Sequence, residues 1–347
     1  MARTTASHRS LAAAVASLAC VTGCTIGSPA ATGGGGGCAA LEGETITLVV
    51  PFSPGGGFDT AARIVADPLG EQLNAQVIVE NRPGAGGLLA INRLVNGPAD
   101  GTQIAIMNGT GASASVLGEA EGADFALTDL AYIGRVATEN TVLVRAPEGV
   151  HRTWEEVRAA GDFRFGSTGP GGADYATATI LIEVFELDAR IVTGFPGQSE
   201  AQLALLQGDI HGLTGPVDDR RAAIEAGELV PVLSVTRERT EIAPDAPAVG
   251  EMALGPDQAV LLESLLTLNE LGRPLVAPAG IAPDTLTCLR EAFTRAATDP
   301  EVVARAEQQR RTIGYASGAD LEAVVARIGG VPAQFRQLLR DAYRTAS

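Results

Sequence analysis

Two Gly-rich loops carry the residues best suited to chemistry. Ser53-Pro54-Gly55-Gly56-Gly57-Phe58-Asp59 follows the apolar run Ile46–Val50, and Ser167-Thr168-Gly169-Pro170-Gly171-Gly172-Ala173-Asp174 follows Arg164–Gly166. Each loop leads into helix-like sequence, Asp59–Gln72 and Tyr175–Phe185. Main-chain N–H groups in such a loop and in the first turn of a helix make a site for an anion. Ser53, Ser167 and Thr168 add hydroxyl donors. Gly55, Gly56, Gly57, Gly169, Gly171 and Gly172 let the main chain approach a ligand, and a β-carbon at Gly56 or Gly169 is expected to crowd it or force an unsuitable φ. Pro54 and Phe58 complete the first loop. Asp59, with Arg63 four residues on, reads as a helix cap and loop organiser. Asn108 to Ala112, including Thr110, and Thr214 to Val217, including Pro216, follow further strands at the cleft edge. The chemistry expected is reversible binding of a small anion between the two loops. A tight turn that packs a helix on a sheet needs similar glycines; two such loops together favour binding.

Catalysis is the rival reading. His151 and His211 are the histidines beyond the N-terminal leader, and neither sits in a metal-spaced cluster. No Gly-x-Ser-x-Gly elbow occurs, and Gly55-x-Gly57 lacks the third small residue of a dinucleotide fingerprint. All 25 basic residues are Arg, which excludes a Schiff-base Lys and a phosphate loop ending in Gly-Lys. A hydrolase built on Ser167 and a distant Asp is the weaker alternative, and a ligand sensor without a transporter would share the binding site. No cofactor and no metal is expected.

The elements that must position these loops read as α/β. Ile46–Val50, Val77–Glu80 and Ile104–Met107 are predicted strands; Asp59–Gln72 and Gly87–Val95 are predicted helices. Ala61, Ile64, Val65 and Leu69 keep helical spacing, and Pro68 is a candidate kink. This order predicts a mostly parallel, helix-covered sheet. A second unit starts near Trp154 and contains strands at Arg164–Gly166, Arg190–Thr193, Ile210–Leu213 and Val230–Val235, with a helix over Ser199–Gln207. Val142–Arg145 and Leu275–Pro278 read as crossing segments, and Asp284–Ala297 and Asp320–Ile328 as amphipathic helices. The expectation is a two-lobe periplasmic-binding-protein-like α/β fold with a hinge and an interlobe cleft. Lobe 1 takes 45–143 plus 275–347, and lobe 2 takes 144–274.

Composition sets the compartment and the partners. A net charge of −16 argues against nucleic acid. Arg3, Arg9 and the apolar stretch Leu11–Ala19 form an export signal over residues 1–23, too short to be a stable membrane anchor. Val21-Thr22-Gly23-Cys24 resembles a bacterial lipobox, with Cys24 as the lipidated first residue of the mature chain. The segment 24–44, with Gly33–Gly37, is expected to tether the folded body to the outer face of the membrane. Cys38 and Cys288 remain in an exported body, where a disulfide and two thiols are both open. The protein is expected to act as a monomer.

The motifs resemble the substrate-binding proteins of tripartite tricarboxylate transporters, the Bug-type receptors. The resemblance rests on Val50-Pro-Phe-Ser-Pro-Gly-Gly-Gly-Phe-Asp59 with Ala62-Arg63, and on Val79-Glu-Asn-Arg-Pro-Gly-Ala-Gly-Gly87. Asp100-Gly-Thr102, Gly166-Ser-Thr-Gly-Pro-Gly171, Gly208-Asp209-Ile210, and Ala277-Pro-Ala-Gly280 with Pro283 extend it from about Ile46 to the C-terminus. It implies an extracytoplasmic receptor that hands a small carboxylate to membrane transporter subunits. The chain departs from the pattern at Tyr175, where many members carry His, at the acid Asp174, and at Phe58 in place of a small polar residue. These departures bear on which ligand is held.

Overall fold

The computed structural model describes residues 36–346. The leader 1–23, Cys24 and the tether up to residue 35 lie outside the described residues.

The first part of the chain runs through α1 (Gly36–Ala39), β1 (Thr45–Val50), α2 (Gly57–Leu73), β2 (Gln76–Asn81), α3 (Leu88–Val95), β3 (Gln103–Ile106), α4 (Gly109–Leu117) and β4 (Leu130–Ala137). The middle holds β5 (Thr141–Arg145), α5 (Trp154–Arg158), β6 (Phe163–Gly166), α6 (Ala173–Phe185), β7 (Ala189–Val192), α7 (Gln198–Gln207), β8 (Gly212–Pro216), α8 (Val217–Glu225) and β9 (Val230–Val235). Then come α9 (Pro256–Asn269), β10 (Arg273–Pro278), α10 (Pro283–Thr298), α11 (Pro300–Gln308), β11 (Ala316–Ser317), α12 (Gly318–Gly329) and α13 (Ala333–Ala346).

Two sheets result, in the orders β11-β4-β10-β3-β1-β2 and β7-β6-β8-β5-β9. They are mixed rather than mostly parallel. β1 pairs in parallel with β2 and β3, and β6 with β7 and β8, while β10, β4, β11, β5 and β9 join antiparallel. The parallel pairs are those joined by a helical crossover, as βαβ geometry requires. The antiparallel strands flank the two passages between the sheets. The strand Thr141–Arg145 lies wholly in the second sheet, so the chain leaves the first sheet within residues 138–140. It returns ahead of Arg273, the first residue of β10.

Burial explains the elements. Ile46, Leu48, Val49 and Val50 are all buried, so β1 is covered on both faces and reads as a continuous apolar run. Ala61, Ile64, Val65 and Leu69 form the buried stripe of α2, which continues through Pro68 and ends at Asn74 in the left-handed region. Pro283 and Pro300 open α10 and α11, where the missing N–H costs nothing. One apolar cluster joins residues of both sheets through α4, α6 and α9, so the lobes share a core beside the cleft. A disulfide links Cys38 on α1 to Cys288 on α10, with Cα atoms 5.3 Å apart. It pins the start of the described chain to the first lobe. Among the described residues, no helix is long and apolar enough to cross a membrane.

Candidate functional site

The first loop is built by β-sheet register. Val50 pairs with Asn81 across β1 and β2, which brings the Asn81 amide under the loop. Asn81 Nδ2 donates to the Phe52 carbonyl at 3.0 Å and to Asp59 Oδ1 at 2.9 Å. Asp59 Oδ2 accepts the Gly55 N–H at 2.9 Å, and Arg63 Nε donates to the same carboxylate at 3.0 Å. Burial pushes the Asp59 carboxyl upward, but Arg63, the Gly55 N–H and Asn81 outweigh it and hold it below the ordinary carboxylate value. The helix begins two residues before Asp59, with Gly56 at the N-cap. Asp59 therefore sits in the first turn, where its charge suits the helix dipole while its oxygens tie the loop.

The second loop repeats the device. The Asp174 carboxylate accepts from the Thr168 N–H at 2.9 Å, the Thr168 hydroxyl at 3.1 Å, the Ser167 hydroxyl at 3.0 Å, the Tyr175 N–H at 2.8 Å and Gln198 Nε2 at 2.6 Å. Burial nevertheless raises its pKa, because the carboxylate is enclosed and the donors offset only part of that cost. Each loop is thus folded around an acid from the first turn of the helix that follows it. An acid beside an anion site ceases to be a contradiction, since its oxygens are occupied by the loop.

Between the loops lies a cavity of about 220 Å³. Ser53, Pro54, Gly55, Gly56, Gly57, Phe58, Asn108, Thr168, Asp174, Thr214 and Pro216 line it. Six other sequence candidates do not. Asp59 and Ser167 are buried as loop organisers; the Ser167 oxygen also accepts the Gly169 N–H at 3.0 Å, so neither group faces the cavity. Thr110 is buried and donates to Asn269 Oδ1 at 2.9 Å. Gly169 has φ +122° with open space at its β-carbon position, so a side chain there meets backbone strain rather than a clash. Gly171 and Gly172 pack the loop itself: a β-carbon on Gly171 would lie 2.1 Å from the Ala85 carbonyl oxygen. Gly56, by contrast, has room, with the Ser53 oxygen 3.6 Å from its β-carbon position. Tyr175 turns away from the cavity, stacks on Tyr343 and donates its hydroxyl to the Ala342 carbonyl at 3.1 Å. His151 and His211 meet edge to face with ring centroids 5.3 Å apart, and neither lines the cavity.

Sequence reading missed the charged floor of the cavity. Arg273 and Glu139, at the two passages between the sheets, are both 3% exposed and lie 3.5 Å apart, Nε to Oε2. Asp219 on α8 accepts from Arg311 Nη1 at 2.6 Å and pairs with Arg273 through both oxygens. It also packs on the first turn of α2, where a β-carbon on Gly57 would lie 2.0 Å from Asp219 Oδ2. Burial raises the Asp219 carboxyl, yet Arg273 and Arg311 hold it below the ordinary value. The Arg273 guanidinium also covers the Phe58 ring at 4.3 Å, and Phe58 packs on Phe52. Phe58 is therefore fixed by the floor, which accounts for a large ring where a small polar residue would be ordinary. Arg220 is 3% exposed; its Nη2 donates to Gln198 Oε1 at 2.6 Å and to the Thr214 carbonyl at 2.9 Å. Burial pushes it down to about 10, so it is still charged at neutral pH. The signals in sequence were weak: a charge just before each of two apolar strands, and a run Asp218-Asp219-Arg220-Arg221 after Pro216.

Glu139 gives the fold a pH dependence. Burial raises it to about 7, with Arg273 opposing and Asp219 and Asp174 adding to the rise. Its protonated form is favoured in the folded state, so this stability is fully present below about 4.5 and is lost as pH rises through about 7. Glu139→Gln is expected to flatten the decline of the thermal midpoint between those values. An unchanged decline would show that Glu139 does not titrate there.

The fold and the paired loops define a two-lobe solute-binding protein, and comparison with known proteins specifies the class. Residues 61–324 match the family described as the tripartite tricarboxylate transporter family receptor. The chain belongs to that family. A Pseudomonas sp. (strain P51) relative, the UPF0065 protein in the tcbD-tcbE intergenic region, is 28% identical over 275 residues, 78% of each chain. MatC from Rhodopseudomonas palustris with bound malate is similar in structure, with a TM-score of 0.72 and 21% identity over 85% of this chain and 99% of MatC. The R. palustris protein Rpa4515 with adipate has a TM-score of 0.69 and 20% identity, over 84% of this chain and 97% of its own. The chain is a solute-binding receptor, not an enzyme.

Proposed function

We propose that this receptor captures a small carboxylate between its two Gly-rich loops outside the cytoplasm and delivers it to a tripartite tricarboxylate-type transporter in the membrane. The observation that carries the reading is the paired construction of the site. Two strand–loop–helix elements from different sheets, each tied by an acid from its own helix, meet at one cavity. The N-termini of α2 and α6, at Gly57 and Ala173, line that cavity beside Ser53 and Gly56, where main-chain donors not taken up by Asp59 and Asp174 act on an anion at contact distance. The protein's net negative charge opposes this only weakly, since it is screened beyond about 8 Å at physiological salt. Proteins similar in fold hold malate and adipate, which suits the same ligand chemistry. The ligand needs no cofactor, and one protomer supplies both loops.

A thermal-shift screen of small mono-, di- and tricarboxylates tests the proposal. The chain should begin at Thr25, so that Cys38 and its disulfide are kept. At one hundred times its Kd, a ligand is expected to stabilise the protein by about 2.7 kcal/mol. Stabilisation by neutral solutes only would overturn the reading. We also place the receptor on the outer face of the membrane through lipid on Cys24. Cys24→Ala is then expected to release it or leave it unprocessed, and unchanged membrane retention would contradict the anchor.

A further inference from the structure

The acids around the cavity are not held alike. Asp219 is shared by Arg273 and Arg311, and Asp174 accepts from five donors of the second loop, α6 and α7. A proton on either carboxylate would displace a donor. Glu139 is different. It is buried at the passage between the sheets and lines the cavity floor. Its Oε2 faces Arg273 Nε at 3.5 Å, too long for a strong hydrogen bond, and among the described residues no other donor reaches that oxygen. The charges that face it come from three elements: Arg273 on β10, Asp219 and Arg220 on α8, and Asp174 on α6. Arg311, ahead of β11, and the exposed Glu200 on α7 line the same cavity.

We propose that Glu139 takes up a proton when an anion enters the cavity, so that the receptor captures its carboxylate and a proton together. This proposal rests on the carboxylate reading of the site. A cavity of about 220 Å³ holds one small molecule, so an anion that reaches both loops also stands over the floor. There Arg220, Arg273 and Arg311 balance Glu139, Asp174 and Asp219, and a further anion tips the balance to negative. A like charge and the displacement of water both disfavour an ionised carboxyl. Glu139 is the acid that yields, because a proton on it breaks no strong hydrogen bond. Burial already raises it to about 7, which puts the step at neutral pH. With anion bound it titrates higher still. Affinity is therefore greatest below about 7 and falls as pH rises from there through the bound value.

Calorimetry on the parent protein tests this, with malate as the probe, or with the most stabilising carboxylate of the screen if malate does not bind. Runs near pH 7.5 in two buffers of different ionisation enthalpy count the protons taken up. Small carboxylic acids titrate near 4, so the probe is already ionised. If binding raises Glu139 by one pKa unit, uptake is about half a proton, and affinity falls about sixfold between pH 6.5 and 8.5. Glu139→Gln mimics the protonated acid. It should take up no proton and keep, up to pH 8.5, the affinity that the parent shows in acid. Infrared difference spectra of the parent, grown with isotope-labelled glutamate, should gain a labelled carboxylic-acid carbonyl band on binding. That spectrum decides the matter if the variant does not fold. Binding heats independent of buffer, a missing band, or an uptake that survives in Glu139→Gln would overturn the role of Glu139 and leave the carboxylate site standing. Absence of binding by every carboxylate would remove both.

Discussion

Replacing Gly171 with Val is expected to lower carboxylate affinity by about two orders of magnitude, roughly 2.7 kcal/mol. The new β-carbon would stand 2.1 Å from the Ala85 carbonyl oxygen, and backbone cannot yield there as a side-chain tip would. Gly86 presses on the same place from the other side, its β-carbon position 2.3 Å from the Gly171 carbonyl carbon. These are the points where the second loop meets the first lobe. The added side chain would hold the loops apart at the edge of the core that the two lobes share. A ligand that must touch both loops then loses half its contacts, because closure is favoured only by what it gains in the closed form. Small-angle scattering should show a more open molecule, and the thermal midpoint should fall only modestly, in line with about 1–3 kcal/mol for overpacking. A Gly171→Val variant that binds like the parent would show that loop contact is not needed.

Asp174→Ala is expected to cost at least about 3 kcal/mol of stability and to disorder the second loop. The substitution strands donors on Thr168, Ser167, Tyr175 and Gln198 that converge on one buried carboxylate, and an unmet buried donor costs about 1–3 kcal/mol. Asp174→Asn keeps an acceptor oxygen and should recover part of the loss. Asp59→Ala should cost less, since Arg63 is half exposed and can turn to water. Chemical denaturation would measure all three. Equal small losses for Asp174→Ala and Asp59→Ala would mean that water replaces the carboxylate in both loops.

The elements that hold the loops were legible because burial and periodicity agree in them. β1 and β6 are apolar runs ending at glycine-rich loops, and α2 and α6 carry recognisable first turns. The α4 helix was not legible: Gly109-Thr-Gly-Ala-Ser-Ala-Ser has no apolar stripe, and it is helical because small residues let it pack tightly on α6 and α9. The parallel bias failed where β10 and β4 run antiparallel, since a strand returning from the other lobe carries no local sign of its direction. In the site, glycine loops announced themselves by composition. The roles within them did not: Ser167 and Asp174 look like ligand contacts in sequence, yet their hydrogen bonds are spent on the loop. Glu139, Asp219, Arg220 and Arg273 escaped notice because a charge in a sequence is ordinarily solvated. Their burial arises only when two distant passages of chain meet α8 at the cleft.

The most direct measurement of the central claim is a crystal structure of the protein with a carboxylate identified by the stabilisation screen. The account predicts one carboxylate group held between Ser53–Phe58 and the start of α6 at Ala173, with main-chain N–H groups not already bound to Asp59, Asp174 or Ser167 as its principal donors. A ligand seated outside this cavity, or held by one loop alone with the other turned away, would contradict it.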